Sequence, residues 1–197
     1  MKMNHLRVQT SHFGHPEHVL ELGKTRTLLP GSKEAVVALR AAPINPSDVL
    51  TIRGVYSART PLPLTPGFEG VGTVVALGES VSNLNLGDVV LPLRGQGTWQ
   101  EYVVAPASHC VRVPDGWSVA ESAQLYINPL SAWLMLRQTL TDLQGRWIAL
   151  NAANSATGRL LIQFAVHMGA RVIAVVRGRN PFSSLIELDA THVVDTE

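Results

Sequence analysis

The feature that most constrains the fold is a strand–turn–helix–strand succession between residues 147 and 176. Trp147–Leu150 is a short apolar strand, and a turn of small residues follows it. The next segment predicts an amphipathic helix, which Gly169 ends. Its apolar face consists of Leu161, Phe164, Ala165 and Met168. Arg171–Val176 is then an unbroken apolar run, which is typical of a central strand in a parallel sheet.

The elements on either side extend this pattern over residues 118–197. Ser118 and Glu121 have the spacing of a capping box, and Asn128-Pro129 predicts a second helix start, with Pro129 as its first residue and an end near residue 141. A weaker helix at about 182–188 and a strand at about 192–194 close the chain. The order β-α-β-α-β predicts one mononucleotide-binding half of a doubly wound sheet.

Residues 1–117 have a different sequence pattern, in which Gly and Pro interrupt short stretches of strand-forming residues. Strands are predicted at Ala35–Arg40, Val71–Leu77, Val89–Leu93, Glu101–Ala105 and Cys110–Val113. Their number and spacing favour a β-barrel or sandwich. The proline-rich segment 61–66 predicts an irregular loop. We therefore expect two domains, at residues 1–117 and 118–197.

Composition narrows the classes of partner. The formal net charge is +1 and no dense Lys/Arg stripe occurs, which argues against a nucleic-acid partner. No apolar run approaches the ~20 residues of a membrane span, and the first 14 residues lack the apolar core of a signal peptide. Cys110 is the single cysteine, so an internal disulfide is excluded. A soluble, cytoplasmic protein is expected.

The small-residue turn at 151–158 lies where a βα unit binds phosphate, because free helix N–H groups and the helix dipole favour an anion there. Only Gly158 remains of a complete G-x-G-x-x-G motif, with Ala153 and Ser155 at the other two glycine positions. The motif alone is equally typical of an ordinary βα turn. Its place between a strand and a helix favours a dinucleotide site. The residues predicted to hold the cofactor are Asn154, Ser155, Ala156, Thr157 and Gly158.

The end of the next strand indicates which dinucleotide binds. Sites that prefer NAD usually place an Asp or Glu there to bind the ribose 2′-hydroxyl. This chain has Arg177 and Arg179 instead. Guanidinium groups suit a 2′-phosphate, so NADPH is the predicted cofactor. The alternative is that both arginines are solvated surface charges.

Several segments together resemble one superfamily. They are Ile44-Asn45-Pro46-Ser47-Asp48, Gly54-Val55-Tyr56, Pro66-Gly67-Phe68-Glu69-Gly70-Val71-Gly72, Gly87-Asp88-Val89, Gly97-Thr98-Trp99-Gln100-Glu101-Tyr102 and Asn128-Pro129-Leu130-Ser131-Ala132-Trp133. They are similar to the medium-chain dehydrogenases/reductases, and most similar to the trans-2-enoyl-thioester reductases, with the quinone oxidoreductases next. The resemblance implies a GroES-like β-barrel domain, then a partial Rossmann domain, in an α/β protein.

The resemblance also implies catalysis without a metal. Zinc-dependent members carry a cysteine near residues 45–48 and a histidine where Phe68 stands, and this chain has neither. Glu69 alone does not make a zinc site. The histidine run His12, His15 and His18 predicts an exposed loop cluster, and no metal site is expected.

Tyr56 occupies the position of the proton donor proposed for the enoyl reductases. Reduction of a 2-enoyl thioester sends a hydride to the β-carbon and a proton to the α-carbon, and a tyrosine hydroxyl keeps a proton to donate at neutral pH. The alternative is an aromatic side chain packed on a loop. Asn45 and Trp99 are candidates for the substrate pocket, although Trp99 equally suits core packing. Asn128 resembles a residue near the nicotinamide, or it is an N-cap.

Two departures from the family pattern qualify this prediction. Ala156 replaces a usual glycine and adds a methyl group near the phosphate, which weakens the expected cofactor affinity. The family continues beyond the point matched by Glu197, so either a fragment of a longer enzyme or a truncated product without activity of its own is expected, with a homodimer for the full-length parent. Three functions stay open: enoyl-thioester reduction, quinone or enone reduction, and a nucleotide-binding module without chemistry.

Overall fold

The computed structural model describes residues 4–26, 29–93, 97–139, 142–178 and 182–197. The chain forms two compact units, residues 1–124 and 125–197. The sequence pattern predicts the boundary between the two domains a few residues earlier, at Ser118. Strands and helices are numbered β1–β10 and α1–α6 in chain order, and each unit is described by itself.

The first unit opens with an antiparallel pair that the sequence did not predict in full. β1 (Asn4–Gln9) pairs along its whole length with β2 (Glu21–Arg26), and the short helix α1 (Pro16–Val19) connects them. β2 buries none of its side chains fully. It therefore lacks the alternation of apolar and polar residues by which a half-buried strand is recognised in a sequence.

A five-stranded antiparallel sheet forms the core of this unit. Its strands are β3 (Glu34–Ala41), β4 (Val71–Leu77), β5 (Val89–Pro92), β6 (Tyr102–Pro106) and β7 (Cys110–Arg112), in the order β6-β3-β4-β5-β7. All five confirm predicted strands to within one residue at each end. Val37 pairs with Val74 on one side and with Val103 on the other, and all three side chains are buried.

Short helices and loops complete the unit. Helix α2 (Pro46–Ile52), which was not predicted, lies between β3 and β4, and a 3₁₀ turn follows at Ser57–Arg59. Residues 61–66 are irregular, as predicted, apart from one bridge between Leu64 and Thr10. Helix α3 (Val119–Ser122) has the predicted capping box, with Ser118 and Glu121 each accepting the other's backbone N–H.

The second unit is a three-stranded parallel sheet with helices. Its elements are α4 (Ile127–Thr139), β8 (Trp147–Leu150), α5 (Ala156–His167), β9 (Arg171–Val176), α6 (Phe182–Ile186) and β10 (His192–Asp195). β9 lies between the other two strands, as its apolar run predicts. Gly169 follows α5 with a φ of 83°, the left-handed conformation expected of a helix-ending glycine. The predicted α/β fold is therefore confirmed.

One predicted helix boundary is wrong. α4 begins at Ile127, so Asn128 lies inside its first turn and Pro129 is its third residue. The sequence placed Asn128 before the helix and Pro129 at its first position. Proline fits either place, because the first four N–H groups of a helix have no intrahelical acceptor. Within the described ranges no helix combines the length and the apolar character that crossing a membrane requires.

Candidate functional site

The turn after β8 is built around the start of α5. Ser155 is the N-cap of this helix, and its Oγ accepts the backbone N–H of Gly158 at 3.0 Å. Ala152 has a φ of 48°, and the buried Ala153 donates its N–H to the carbonyl of Val175 in β9. The turn is thereby fixed to the carboxyl edge of the sheet. Its exposed residues, Asn154, Ser155 and Ala156, face solvent.

Gly158 is the position where this turn tolerates no side chain. A Cβ on Gly158 would lie 2.5 Å from the carbonyl oxygen of Ala152 and 2.7 Å from that of Ala153. Both neighbours are backbone atoms, which a rotamer change does not move. Close packing of helix and strand is the role of the third glycine in a dinucleotide-binding turn. The geometry of Gly158 fits that role.

Asn128 and Thr157 come together in this unit, although 29 residues separate them. The Thr157 hydroxyl donates to Asn128 Oδ1 at 2.9 Å. Thr157 lies in the first turn of α5 and Asn128 in the first turn of α4, so the bond joins the two helix starts. Asn128 is therefore a neighbour of the phosphate turn. Because α4 begins at Ile127, Asn128 is not its N-cap, and a role for Asn128 beside the nicotinamide stays a prediction.

A cation that the sequence analysis missed lies beside the turn. The Arg159 guanidinium donates to Ser184 Oγ at 3.1 Å and to Asn154 Oδ1 at 3.4 Å. Arg159 follows Gly158 directly, one residue outside the motif. The sequence did offer a signal, because Arg159 is a basic residue in the first turn of a predicted helix. Positive charge is unfavourable at that end of the helix dipole, so an arginine there suggests an anionic neighbour.

The loop after β9 carries the residues proposed to select the cofactor. Arg177 is exposed in the bend that follows the strand. Gly178 has a φ of 77° and donates its N–H to Asp195 Oδ1 at 2.8 Å. Asp195 ends β10, so the neighbouring strand holds this loop. Arg179, the second predicted arginine, lies outside the described residues.

In the first unit, Tyr56 lies on a well-held loop. It precedes the 3₁₀ turn, is half-buried, and its carbonyl accepts bonds from the Arg59 N–H at 2.9 Å and the Thr60 hydroxyl at 3.0 Å. Gly54, two residues earlier, has a φ of 85° and lies against Phe13, so a glycine is required there. The backbone that presents the Tyr56 phenol is thus defined.

Asn45 is buried at the start of α2 and belongs to a polar cluster. Its side-chain Nδ2 donates to Glu69 Oε1 at 2.8 Å, and its backbone N–H donates to Asp48 Oδ2 at 2.7 Å. The other Asp48 oxygen accepts the N–H of Phe68 at 3.1 Å. Asp48 therefore joins the loop before α2 to the loop before β4. The capping-box spacing of Asn45 and Asp48 was the signal that the sequence analysis did not use.

Asp48 and Glu69 are buried carboxyl groups, 1% and 2% exposed. Burial raises the pKa of Asp48 most strongly, and the charge of Glu69 adds to the increase, while the N–H groups of Asn45 and Phe68 oppose it. The Glu69 carbonyl accepts the Thr98 hydroxyl at 2.6 Å. The cluster has oxygen and amide donors only. Phe68 contributes only its backbone N–H to the cluster, because its side chain carries no polar or metal-binding atom.

Trp99 is tethered at both its backbone and its side chain. The indole N–H donates to the carbonyl of Pro43 at 3.2 Å, and the backbone N–H donates to that of Pro66 at 3.0 Å. A Cβ on Gly67 would lie 2.6 Å from the Trp99 ring. The half-buried ring thus packs against the loop before β4. This position fits both the packing role and the pocket role that the sequence left open.

A cavity of about 310 Å³ opens in the first unit, beside the same loop. It is lined by Asp48, Thr51, Pro61, Pro63, Leu64, Thr65, Pro66, Gly67, Phe68 and Gly97. Prolines and Phe68 make its wall largely apolar, and Asp48 contributes a carboxyl group. The cavity lining does not include Asn45, Trp99 or Tyr56. Asn45 is hydrogen-bonded to the lining residue Asp48, and Trp99 packs against the lining residue Gly67.

Comparison with known proteins identifies relatives of both units. An alcohol dehydrogenase GroES-like domain matches residues 31–115. The mitochondrial enoyl-[acyl-carrier-protein] reductase of Xenopus tropicalis is 40% identical over 189 residues, which are 93% of this chain and 54% of that protein. The chain therefore spans about half the length of this relative.

Solved structures give the same picture. A structure described as an NADPH:quinone reductase from Bacillus thuringiensis matches with a TM-score of 0.93 and 40% identity, over 98% of this chain and 59% of that one. The complex of Etr1p with NADP and crotonyl-CoA matches with a TM-score of 0.86 and 27% identity, over 98% and 61%. The GroES-like first domain expected from the resemblance is confirmed.

Proposed function

Because this chain belongs to the medium-chain dehydrogenase/reductase superfamily, we propose that it takes part in the NADPH-dependent reduction of the carbon–carbon double bond of a 2-enoyl thioester. The observation that carries the proposal is the turn at Ala152–Gly158. Gly158 lies against two backbone carbonyls, and Ser155 caps a helix start that faces solvent. Such a turn fits a pyrophosphate.

In this proposal, different residues of the second unit bind different parts of the cofactor. The first-turn N–H groups of Ala156 and Thr157 would hold the pyrophosphate, because the helix dipole favours an anion there. Arg177 pairs with the 2′-phosphate, and an arginine binds such a group through two parallel hydrogen bonds. Asn128, held by the Thr157 hydroxyl, orients the nicotinamide end. NADPH, when bound, supplies the hydride that adds to the β-carbon of the substrate.

Tyr56 provides the proton in this proposal. Once the β-carbon has accepted a hydride, the substrate is an enolate, and its α-carbon needs one proton. The Tyr56 hydroxyl is the donor, since the loop bonds to Arg59 and Thr60 hold the backbone that presents it. Asn45 and Trp99, in the same unit as Tyr56, are the residues that we assign to the substrate pocket. No metal is assigned a role, because Phe68 stands where zinc-dependent members carry a histidine.

The decisive experiment follows NADPH oxidation by a full-length version of the enzyme with crotonyl-CoA and, separately, with a simple quinone. The Tyr56→Phe variant should lose at least one order of magnitude in thioester reduction, since a general acid usually contributes ~10²–10⁴-fold. Tyr102→Phe is the matched control, because Tyr102 is also half-buried, lies on β6 and contacts His5 edge to face. Equal turnover by both variants and the wild type would remove Tyr56 from the mechanism.

Quinone or enone reduction is the second candidate. The observation that favours it is the match to the quinone reductase structure, which has the higher TM-score of the two structures compared. Quinone turnover that is insensitive to Tyr56→Phe, without crotonyl-CoA turnover, would establish it. NADPH binding without turnover of either substrate would indicate a nucleotide-binding module instead.

Location and assembly are also proposals. The predicted cytoplasmic location differs from that of the Xenopus relative, which is named a mitochondrial enzyme, and fractionation of the source cells distinguishes the two compartments. The predicted homodimer of a full-length parent is tested by size-exclusion chromatography of that full-length protein with light scattering. A mass equal to that of one chain would contradict it.

A further inference from the structure

Three side chains with metal-binding atoms lie together on the surface of the first unit, and none of them is among the residues assigned to the candidate site. They are His15, Glu17 and His18, which we call the His-Glu-His cluster. One ligand atom of each lies within 4.8 Å of the others, and His15 Nδ1 is 3.8 Å from a Glu17 carboxylate oxygen. Within the described ranges it is the single group of three such residues that meets this criterion.

The backbone beneath the cluster is held in place. His15 is the N-cap of α1 and accepts the N–H of His18 at 2.9 Å, and Leu20 donates to Pro16 at 3.1 Å. Pro16 restricts φ at the first helical position. The cluster therefore stands on an ordered turn, and only side-chain rotation is needed to close it around an ion.

A buried anchor fixes this turn to the rest of the unit. Val19 is 6% exposed and packs against Gly14. The Gly14 N–H donates to the carbonyl of Ile52 at the end of α2, at 3.0 Å. The three polar side chains of the turn are exposed, so an ion reaches them from solvent and no buried charge has to be desolvated.

The donor set selects the kind of ion. We propose that the His-Glu-His cluster binds a divalent transition cation such as Zn²⁺, with two imidazole nitrogens and one carboxylate oxygen as ligands. Zinc–ligand bonds of ~2.0–2.1 Å in a tetrahedron require donor atoms about 3.3 Å apart, so the present separations of up to 4.8 Å must shorten by at most about 1.5 Å. Imidazole ligands favour zinc, copper or nickel over magnesium and calcium.

The site is separate from the zinc position of the metal-dependent relatives, which is where Phe68 stands in this chain. It uses different residues and does not depend on the proposed reduction. A cation bound here would tie His15 to His18 across α1. Because it would bind the folded chain in preference to the unfolded one, it would raise the midpoint of thermal unfolding.

The test is calorimetric titration of the chelator-treated 197-residue protein with ZnCl₂. We expect one saturable site, its loss in His15→Ala and in His18→Ala, and weaker binding in Glu17→Gln. His12→Ala is the matched control, because His12 is exposed on the same segment but is not in the cluster, and it should bind zinc like the wild type.

Two results would overturn the proposal: no saturable zinc binding by the wild type, or zinc binding by His15→Ala and His18→Ala as tight as that of the wild type. Far-UV circular dichroism of each variant establishes that it is folded. As a second measurement, 1 equivalent of zinc should raise the thermal midpoint of the wild type and of His12→Ala, and leave that of His18→Ala unchanged.

Discussion

Replacing Gly158 with alanine tests whether the phosphate turn depends on the absence of a side chain. The added Cβ would lie 2.5 Å from the Ala152 carbonyl oxygen, where an ordinary contact begins at 3.4 Å. The start of α5 must therefore move from the turn by about 0.9 Å. Such a shift also stretches the 3.0 Å cap between Ser155 and the residue 158 N–H.

The expected size of the effect follows from three contributions. Overpacking against backbone costs about 1–3 kcal/mol, and a lost N-cap costs about 1 kcal/mol. Alanine regains up to about 1 kcal/mol through its higher helix propensity. We expect Gly158→Ala to lower the free energy of unfolding by about 1–3 kcal/mol, as measured by urea denaturation followed with circular dichroism.

The control is Gly145→Ala in the same unit. Gly145 has a φ of 70° and no atom within 4 Å of an added Cβ, so this variant carries only the cost of a left-handed backbone, about 1–2 kcal/mol. Both variants can therefore lose stability, but only Gly158→Ala should weaken NADPH binding, because only its change lies at the turn. NADPH affinity of Gly158→Ala equal to that of Gly145→Ala and the wild type would refute the reasoning.

The other predictions concern single side chains. Ala156→Gly should tighten NADPH binding, since it removes an exposed methyl group from the first turn of α5, and fluorescence titration measures the change. Arg177→Ala should weaken NADPH binding by about tenfold or more and leave NADH binding unchanged, as the same titration with each nucleotide would show. Burial raises the pKa of the Cys110 thiol to about 11, so at pH 8 about one thiol in a thousand is ionised. A thiol reagent should therefore react with Cys110 only after urea is added, and rapid reaction of the native protein would contradict its burial. The pKa of Asp48 is raised by folding, so its contribution to stability is greatest below the pKa of the unfolded chain and is lost as the pH rises through the folded value. The free energy of unfolding of the wild type, relative to Asp48→Asn, should fall as the pH rises above 3.8, the ordinary pKa of an aspartate, and an increase would show that the sign is wrong.

The second unit was largely predictable because its signals are local. The strands at 147–150 and 171–176 lie where the sequence placed them. Their apolar runs and the helix between them repeat with periods that chain geometry fixes. The start of α4 was misplaced because proline is compatible with several first-turn positions, so the residue type alone did not determine the boundary.

The first unit was predictable in its sheet but not in its connections. The five sheet strands have apolar cores between glycine and proline turns, whereas β2 and α1 expose most of their residues. Nothing in their composition distinguishes them from a polar loop. The polar cluster was missed for another reason: Asn45 and Glu69 meet across 24 residues of chain, and a contact of that range depends on tertiary structure.

In the candidate site, too, features with a local sequence signature were predictable and features that depend on tertiary contacts were not. Ser155, Thr157 and Gly158 lie at a helix start, which was predictable because a helix start has a sequence signature, and their part in cofactor binding stays a prediction. Arg159 was missed because its importance comes from its partners, Asn154 and Ser184, and not from its place in a motif. The roles of Tyr56 and Arg177 stay predictions, since they depend on ligands.

If Arg177 selects the cofactor as proposed, the bond between Gly178 and Asp195 makes that selection depend on β10, a strand that carries none of the proposed cofactor ligands. The loop bearing Arg177 acquires its anchor only after β10 has aligned beside β9, 17 residues later in the chain. A chain shortened by its last few residues would keep every phosphate-binding group. It would lose the hydrogen bond that holds the loop carrying Arg177, so on this proposal affinity for NADPH should decline while affinity for NADH is retained.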